Sequence, residues 1–536
     1  MQQTTTSKPR LRLAPFFAVL VLILAFTACR PSAPPADLVI INGPEPESLD
    51  PAIVTGQADL RLARTLFEGL TRMNAATGLP EPGLAKHWEI SPDGLVYTFH
   101  LRTNLAWSTG APITADDIVY SWRRVLDPRT ASDYAGQLFF VKNAEAFCTG
   151  KLTNAAEVGI RALDPLTVRV ELNTPTPFFL DLCSFPTLAA VPREAIERHG
   201  DRWLLAPPVP VSGPYQLESW RLQDRIRMRK NPRYWDAART QSEVVDFLSM
   251  DSPFTALNLF ERQQADIIWD KNLVPSELMD VLRQRPDCHS FDYLGTFFYR
   301  YNVTRPPFDD VRVRQALGMA IDRRRLVEKI SRSGERWATH ITPNGIPNYD
   351  PPDGLPYDPA AARRLLAEAG FPGGKGFPPF QYLLPTGKLD SQLAVEMQAM
   401  WARELGIKME LRQTEWKVYL NALSTLDYQV GRSSWIGDYV DPNTFIELFT
   451  SNNGNNRTGW KNPAYDALVA EANRDSNPQR RMAKLRQAET LLVREAAPIV
   501  PLYFYAGILF FDTNRVEGVY FNLLDEHPIQ TIRRKK

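Results

Sequence analysis

A carboxylate stands between two large aromatic residues in the stretch SSWIGDYVDP, residues 433–442. Asp438 lies between Trp435 and Tyr439, and Gly437 comes immediately before it. One interpretation is a turn, because Asp bonds its own backbone and Gly tolerates positive φ shortly before a proline. The other interpretation is a carboxylate placed there for function. The residues of this stretch alone leave the choice open.

The residue types that usually perform catalysis or bind metals form no recognised motif. There is no HExxH, paired CxxC or GxSxG, and the nearest approach to a phosphate-binding loop, residues 370–376, has no Ser or Thr after Lys375. No two of the six histidines lie at helical metal-ligand spacing: His87, His100, His199, His289, His340 and His527. We therefore predict no metal, no cofactor and no catalytic residue, although a Ser-His-Asp set assembled across the fold stays open.

The charge of the chain is nearly balanced. Lys and Arg total 62 against 61 Asp and Glu, which gives a formal net charge of +1. Such a chain has no bulk attraction to nucleic acid or to anionic lipid. The arginines of residues 312–325 have acidic neighbours and indicate a solvated helix face, and the basic tail at 533–536 is too short to bind nucleic acid. We predict no nucleic-acid partner.

The N-terminus has the composition of an export signal. An apolar run over residues 13–28 leads to Cys29, and three positive residues precede it: Lys8, Arg10 and Arg12. The run is somewhat short of the roughly 20 residues that a bilayer core needs, which favours a cleaved signal over the alternative of a permanent anchor. The residues FTAC resemble the lipobox of bacterial lipoproteins, although Phe26 replaces the usual Leu. We predict a lipoprotein signal peptide over residues 1–28, lipidation of Cys29, and a Pro-rich tether over residues 29–37.

Three cysteines follow Cys29, namely Cys148, Cys183 and Cys288, and their number is odd. An exported protein can form one disulfide, but the spacing does not choose the pair. The alternative is three buried thiols.

Apolar periodicity predicts alternating strands and helices. A chain of 536 residues is expected to form about two or three domains, and no internal repeat of roughly 20 to 50 residues appears. Residues 38–41 are a branched apolar run of strand type, and residues 95–101 alternate as a strand does. Thr114 is predicted to cap a helix, with Asp117 at its N3 position.

The second half of the chain shows the same alternation. Residues 297–303 and 499–505 are predicted strands. Helices are predicted over residues 311–320, from Asp322 onwards, behind the N-cap pair of Asn462 and Pro463, and over residues 478–497. Together these elements indicate a mixed α/β protein.

Many short blocks resemble the extracellular solute-binding proteins of peptide ABC importers, and the oligopeptide-binding members are the closest likeness. The blocks, in order, are SLDP (48–51), LFEGL (66–70), GLAKHWEISPDGLVYTFHLR (83–102), WSTGAPITADDIVYSWRRVLDP (107–128), SGPYQLESW (212–220), PPFDDVRVRQALGMAIDR (306–323), GWKNPAYDAL (459–468) and APIVPLYFY (497–505). Each block alone is a weak signal, but so many in the right order make a strong one.

For the fold, the resemblance implies an α/β, bilobed type II periplasmic-binding-protein architecture with an extra domain inserted in the first lobe. The first lobe would comprise residues 38–67, 191–293 and 506–536. The inserted domain would cover residues 68–190, and the second lobe residues 294–505. In such proteins the lobes close around the ligand by a hinge motion.

For function, the resemblance implies a monomer that binds short peptides in the periplasm or cell envelope, held to the membrane by lipid at Cys29. It would deliver them to a permease with its ATPase subunits. In this family an aspartate in a Trp-x-small-Asp block receives the α-amino group of the peptide, and Asp438 after Trp435 matches it. An enclosed cation must be paired, because an unpaired buried charge is costly. Main-chain groups from Arg432 to Ser434 would pair with the peptide like an added strand.

Further site residues carry over one at a time. Tyr134, Trp416 and Tyr505 match aromatic pocket positions, where Tyr134 would offer a hydroxyl and Trp416 would wall a side-chain pocket. Plain core packing is the alternative for each. Arg432 matches an arginine that can meet a peptide carboxylate, and its alternative is a surface salt bridge.

Some positions depart from the family pattern. Thr55 replaces a glutamate near the ligand backbone, Asp390 replaces a histidine on the carboxylate side, and Leu423 replaces an arginine. Gly295 and Ile436 stand where the best-known relative has a cysteine pair. Thr55 and Asp390 stay candidate ligand-binding positions, but the loss of positive groups leaves the preferred peptide length open.

Two other functions stay open. The same fold hosts many ligands, so the solute could be a nickel complex, a sugar or haem, although Asp438 favours an amine over these. A hydrolase or a peptide chaperone could also use the cleft. A hydrolase would need a nucleophile with a base in reach, and the sequence offers no such pair.

Overall fold

The computed structural model describes residue 2 and residues 34–535. The predicted lipidation site at Cys29, the first part of the tether and all of the predicted signal peptide except residue 2 lie outside the described residues. Within the described part of the chain, no helix is both long enough and apolar enough to cross a membrane.

The strands, in chain order, are β1 Leu38–Gly43, β2 Thr71–Met73, β3 Pro80–Pro82, β4 Ala85–Ile90, β5 Val96–Leu101, β6 Ile160–Asp164, β7 Thr167–Glu171, β8 Tyr215–Arg221, β9 Arg225–Lys230, β10 Val244–Ser249, β11 Ile267–Ile268, β12 Cys288–Tyr301, β13 Arg336–Trp337, β14 Phe380–Pro385, β15 Met409–Thr414, β16 Val430–Ile436, β17 Ile499–Phe511, β18 Val516–Glu517 and β19 Arg533–Arg534. The longer helices are α1 Gln57–Leu66, α2 Ala115–Leu126, α3 Pro253–Glu261, α4 Val311–Met319, α5 Pro359–Glu368, α6 Lys388–Leu405, α7 Trp416–Ser424, α8 Pro463–Arg474 and α9 Pro478–Thr490. Shorter helical segments lie at Ala144–Cys148, Phe179–Leu182, Arg193–His199, Met279–Leu282, Arg323–Arg325 and Asn443–Ile446.

The largest sheet has eleven strands and extends through both halves of the molecule. Its order is β15-β14-β16-β12-β17-β11-β1-β10-β9-β8, and β13 pairs beside β17. Strand β1 lies parallel to both β10 and β11, and almost all of its residues are buried. A central parallel strand covered on both faces needs such a continuous apolar run. The strand predicted at residues 38–41 is therefore confirmed.

The long strands β12 and β17 join the two halves of this sheet. They pair antiparallel from Cys288 opposite Phe510 to Asp292 opposite Ala506, and their regular register resumes only at Thr296. Before the break, the other neighbour of β17 is β11, whereas beyond it the other neighbour of β12 is β16. The predicted lobe boundaries at 293/294 and 505/506 lie at this break, and the assignment of residues to each lobe stays a prediction.

A separate four-stranded sheet, in the order β4-β5-β7-β6, forms within residues 85–171. Alternate residues of β5 are buried, which confirms the strand predicted at 95–101. Helix α2 begins with the predicted capping box, in which the Thr114 backbone N–H donates to Asp117 Oδ2 at 2.8 Å. The reciprocal bonds satisfy two of the otherwise unpaired donors at the start of the helix.

Buried apolar residues form separate clusters rather than one core. One surrounds Phe99 in the four-stranded sheet, one surrounds Phe247 beside β1, and one surrounds Trp401 beside β14. Because each region has its own core, each can move as a unit.

Several elements in the second half of the chain end differently from the sequence prediction. The helix expected from Asp322 is a short helix that widens into a π-helical turn over Leu326–Ser331. The helix expected over residues 478–497 likewise continues from α9 into a π-helical turn, Leu491–Ala496. Strand β17 does not stop at residue 505, because its remaining residues pair with β12 and β11.

The three described cysteines form no disulfide. Cys148, Cys183 and Cys288 are all free thiols. Cys183 alone among them is fully buried, so the alternative of three buried thiols is right only for that residue.

Candidate functional site

A cavity of about 480 Å³ opens where three parts of the chain meet. Helix α1 and residues 524 and 526 form one side, residues 134 and 185 form another, and α7, β16 and the loop after β16 form the third. The lining includes most of the residues predicted to bind a ligand: Tyr134, Trp416, Arg432, Ser434, Trp435 and Asp438.

A larger cavity, of about 1110 Å³, lies between α2 and residues 193–201. Several of its charged side chains are already paired with one another. Arg124 meets Asp50 at 2.6 Å, and Arg193 meets Glu197 at 2.7 Å. We assign the candidate site to the smaller cavity, because it contains most of the predicted ligand-binding residues and also charged groups that lack a counter-charge among the described residues.

Strand β16 offers an incompletely paired edge to the smaller cavity. On one side it pairs with β12 along its whole length, from Ile436 opposite Gly295 to Val430 opposite Tyr301. On the other side β14 pairs only with Val430 and Gly431. Residues 432–436 therefore have no strand partner on that side among the described residues, although the carbonyl of Arg432 accepts a bond from the Tyr419 hydroxyl at 2.6 Å. An extended peptide can add as a strand to such an edge.

Asp438 follows β16 at the end of this edge. Its backbone N–H donates to the Thr444 hydroxyl at 3.2 Å, and its side chain is partly exposed to the cavity. Burial raises the pKa of Asp438 to about 7, and no cationic group of the described residues offsets that effect. The carboxylate is thus dehydrated but unpaired, so a cation that enters the cavity would gain a strong partner.

The neighbouring carboxylate behaves in the opposite way. Asp441 is buried, and its two oxygens accept from the guanidinium of Arg481 at 2.6 and 2.7 Å. It also accepts from the Asn443 backbone N–H at 2.9 Å. Asp441 therefore belongs to the turn, whereas the turn interpretation does not account for Asp438.

Aromatic side chains line the same cavity as Asp438. The Tyr134 ring packs on Phe185 with 5.0 Å between centroids, and burial together with the charge of Asp438 raises the pKa of Tyr134 to about 12. Trp416 stacks on Tyr419 at 5.3 Å and is 51% exposed, so it walls the entrance rather than the core. Both rings offer apolar area to a ligand.

Arg432 is not free to meet a ligand carboxylate in this structure. Its guanidinium lies 3.3 Å from Asp390 Oδ1, donates to the Ser434 hydroxyl at 2.9 Å, and reaches the Tyr505 hydroxyl at 3.4 Å. It also lies over the Phe297 ring, 4.8 Å from the centroid. The predicted residues Arg432, Ser434, Tyr505 and Asp390 are thus brought together, with the charge of Arg432 compensated. Their contact with a ligand stays a prediction.

Thr55 is the predicted residue that the structure places least favourably. It is exposed in the segment before α1 and does not belong to the cavity lining. Nothing in the structure connects it with Asp438.

Sequence reasoning missed several lining residues. Arg300, Asn455 and Arg457 line the cavity, and two apolar residues, Leu448 and Phe449, lie near them. Arg300 comes from β12, which pairs with β16 only through long-range register. The strand alternation predicted at 297–303 gave no means of placing it beside the cavity.

One possible metal-binding cluster was also missed. Ligand atoms of His87, Glu89 and His100 lie within 4.8 Å of one another on the antiparallel strands β4 and β5. These residues do not lie at helical metal-ligand spacing in the sequence, and only the pairing of β4 with β5 brings them together. Exposed groups of this type are common without an ion, and the expectation of no metal stays a prediction.

Comparison with known proteins identifies the family of the chain. A family model for bacterial extracellular solute-binding proteins, family 5 Middle, matches residues 80–457. The chain belongs to this family. It is 36% identical over 481 residues to the periplasmic oligopeptide-binding protein OppA of Salmonella typhimurium, covering 88% of this chain and 87% of that protein.

Two further members show the range of likeness. The probable deoxycholate-binding periplasmic protein YgiS of Escherichia coli is 33% identical over 490 residues, covering 88% of this chain and 89% of that protein. The crystal structure of Haemophilus influenzae OppA in complex with RPPGFSPFR has a TM-score of 0.76 at 30% identity, covering 93% of this chain and 99% of that chain. The predicted α/β bilobed fold of this family is confirmed.

Proposed function

We propose that this protein is the extracytoplasmic peptide-binding component of an ABC importer. The observation that carries the proposal is Asp438, a dehydrated carboxylate that has no counter-charge among the described residues and lies at the end of an open strand edge. A free peptide is complementary to both features, because it has an α-ammonium group at one end and an extended backbone behind it. The peptide-bound Haemophilus influenzae relative supports this choice of ligand.

In the proposed complex the α-ammonium group pairs with Asp438 and the peptide runs along residues 436–432 of β16. A charge-assisted bond of this kind contributes about 1.5 to 3 kcal/mol, which is enough to orient the peptide. The backbone pairing asks nothing of the peptide's side chains, so many sequences would be accepted. Tyr134 and Trp416 would cover the ligand with aromatic surface.

Closure would be a rotation of the lobes about β12 and β17. The register break in these two strands supports a hinge there. The rings of Phe178 and Tyr439 stack at 4.2 Å with an interplanar angle of 7°, and they would supply contact between the proposed inserted domain and the second lobe. This stack is next to Asp438 in sequence and would couple ligand binding to closure. The lobe and inserted-domain boundaries given above belong to this proposal.

The proposal also includes export, lipidation of Cys29 and delivery of the peptide to a permease with ATPase subunits. The N-terminal composition and the lipobox-like residues support the anchor. The protein would act as a monomer and would cleave nothing. Incubation with a labelled tripeptide should return only intact peptide, and time-dependent fragments would contradict the binding-only role.

Native mass spectrometry of the mature protein, purified from cells, tests the proposed ligand class. We expect mass additions that match short peptides and disappear on denaturation. Additions that match only a non-peptide solute, such as a bile acid, a sugar or a metal complex, would overturn the proposal.

A further inference from the structure

Two arginines line the cavity without a carboxylate partner. Arg300 is 7% exposed, and its guanidinium donates to the Ser433 hydroxyl at 2.5 Å and to the Asn455 carbonyl at 3.2 Å. Arg457 is half-buried beside it. The Nε atoms of both are buried and meet no acceptor among the described residues. No ion pair joins either guanidinium to a carboxylate in the part of the chain that the structure describes.

Leaving these charges unpaired is unfavourable. Burial lowers the pKa of Arg300, Tyr428 and Tyr419 partly oppose this effect, and the nearby charges of Arg457 and Arg432 add to it. The buried Arg481 shows the usual solution, since it meets Asp441 at 2.6 Å. Arg323 also lacks a carboxylate, but it does not line the cavity. A buried cation beside a ligand cavity gains most from an anion that the ligand brings.

The strand register gives the direction from which that anion would come. Arg300 lies opposite Gly431 and Phe298 lies opposite Ser433, so Arg300, Phe298 and Ser433 share one face of the sheet. A peptide added along residues 432–436 would send alternate side chains to that same face. Leu423 and Phe449 also line the cavity, and apolar surface near two charges strengthens an ion pair.

We propose that Arg300 and Arg457 form an anion subsite that binds the carboxylate of an Asp or Glu side chain close to the amino terminus of the peptide. The inference rests on the proposed function and adds a substrate class to it. The protein would prefer peptides that are acidic at one of the residues after the first. Their ammonium group would meet Asp438, and their side-chain carboxylate would meet the two arginines.

The C-terminal carboxylate of a very short peptide has the same chemistry as an acidic side chain. Calorimetry of the mature protein with two sets of ligands shows whether the arginines bind an acidic side chain or the C-terminal carboxylate. The first set is Ala-Ala-Ala-Ala with Asp or Asn at the second or third position, which changes charge at nearly constant shape. The second set is Ala-Ala and its C-terminal amide.

We expect Asp to bind about tenfold to hundredfold more tightly than Asn at one of the two positions, the range of one charge-assisted contact. That ratio should fall to within about twofold of unity in Arg300→Met and fall partly in Arg457→Gln. Arg457→Glu should favour Lys over Asp at the same position. Arg363→Gln removes an exposed arginine that pairs with Glu404 at 3.0 Å outside the cavity, and should leave the ratio unchanged.

The other possible results would contradict either the anion subsite or the proposed function. If the Ala peptides bind but Asp and Asn are equivalent at both positions, the acidic-side-chain preference is overturned while the proposed function stands. A preference for Ala-Ala over its amide that Arg300→Met removes, with a flat Asp scan, would assign the subsite to the terminal carboxylate and likewise overturn the side-chain proposal. If no peptide binds, the proposed function itself fails. Arg457→Gln keeps the test valid should Arg300→Met not fold, because Arg457 is only half-buried.

Discussion

Asp438 and Asp441 stand three residues apart in one loop, yet their surroundings differ in kind. Asp441 has an arginine and a backbone N–H as partners, whereas desolvation raises the pKa of Asp438 and no counter-charge among the described residues offsets it. A carboxylate whose bonds are complete holds the fold together. A desolvated carboxylate without a counter-charge raises the free energy of the ligand-free protein, and a cationic ligand can pair with it. The pair therefore separates a stability residue from a binding residue within one short segment.

The largest effect is expected on stability, from Asp441→Asn. This change leaves Arg481, whose side chain is only 4% exposed, without its counter-charge. Breaking a buried pair from one side costs about 3 to 5 kcal/mol. Urea unfolding followed by tryptophan fluorescence should show the loss, and the folded variant should still bind peptide. Unchanged unfolding together with lost binding would reverse the roles of the two aspartates.

Asp438→Asn should produce the complementary result. Peptide affinity should fall by about 2 to 4 kcal/mol, or roughly thirtyfold to a thousandfold, because the ammonium group would be enclosed without a partner. The empty variant should unfold at an equal or higher temperature, since an unpaired buried charge is removed. Calorimetry and a thermal melt check both parts. A strongly destabilised variant would show that Asp438 also supports the fold.

The pH dependence of peptide binding should follow the protonation of Asp438. Because the pKa of Asp438 is raised to about 7, part of the empty protein is protonated at neutral pH. Pairing with an ammonium group lowers that pKa, so binding releases a proton. Affinity should approach its full value about one pH unit above that pKa and should fall by up to about tenfold per pH unit below it.

Glu447 titrates in the same range, since burial raises its pKa to about 7, and it accepts bonds from Tyr439 and Asn443. Asp438→Asn is therefore the matched control for the pH profile. Its affinity should vary little between pH 5.5 and 7.5. A profile equally steep in this variant would assign the proton to Glu447.

The smallest effect is expected from Trp416→Ala. Trp416 is half-exposed and stacks on Tyr419, so it adds apolar area without enclosing the ligand charge. We expect a loss of about 1 kcal/mol or less in peptide affinity, with no change in the ratio between free and N-acetylated peptides. A loss as large as that of Asp438→Asn would show that Trp416 contributes as much binding free energy as the carboxylate, contrary to the proposal.

Local patterns in the sequence predicted much of this fold. The capping box at Thr114, the buried face of β5, and the N-cap at Asn462, which accepts from Tyr465 N–H at 3.1 Å, all depend on residues close in the chain. The π-helical turns after Arg325 and after α9 were not foreseen, because no local signal marks a change of helix type.

The site was predictable only in part. The order of the motif blocks pointed to Asp438. By contrast, the pairing of Arg432 with Asp390 joins residues 42 positions apart and has no sequence signature. Arg300 and Arg457 reach the cavity from different elements through strand register and loop position. Such charges can be assigned only when the tertiary structure shows which of them have partners.

The central claim is that Asp438 binds the amino terminus of a peptide, and one thermodynamic cycle tests it most directly. Ala-Ala-Ala and its N-acetyl form should be titrated into the unmodified protein and into Asp438→Asn at pH 7.5. We predict that the free peptide binds at least about thirtyfold more tightly than the acetylated one to the unmodified protein, and that the ratio falls to within about threefold in the variant. Equal affinity of both peptides for the unmodified protein, or a ratio that survives the substitution, would contradict the account.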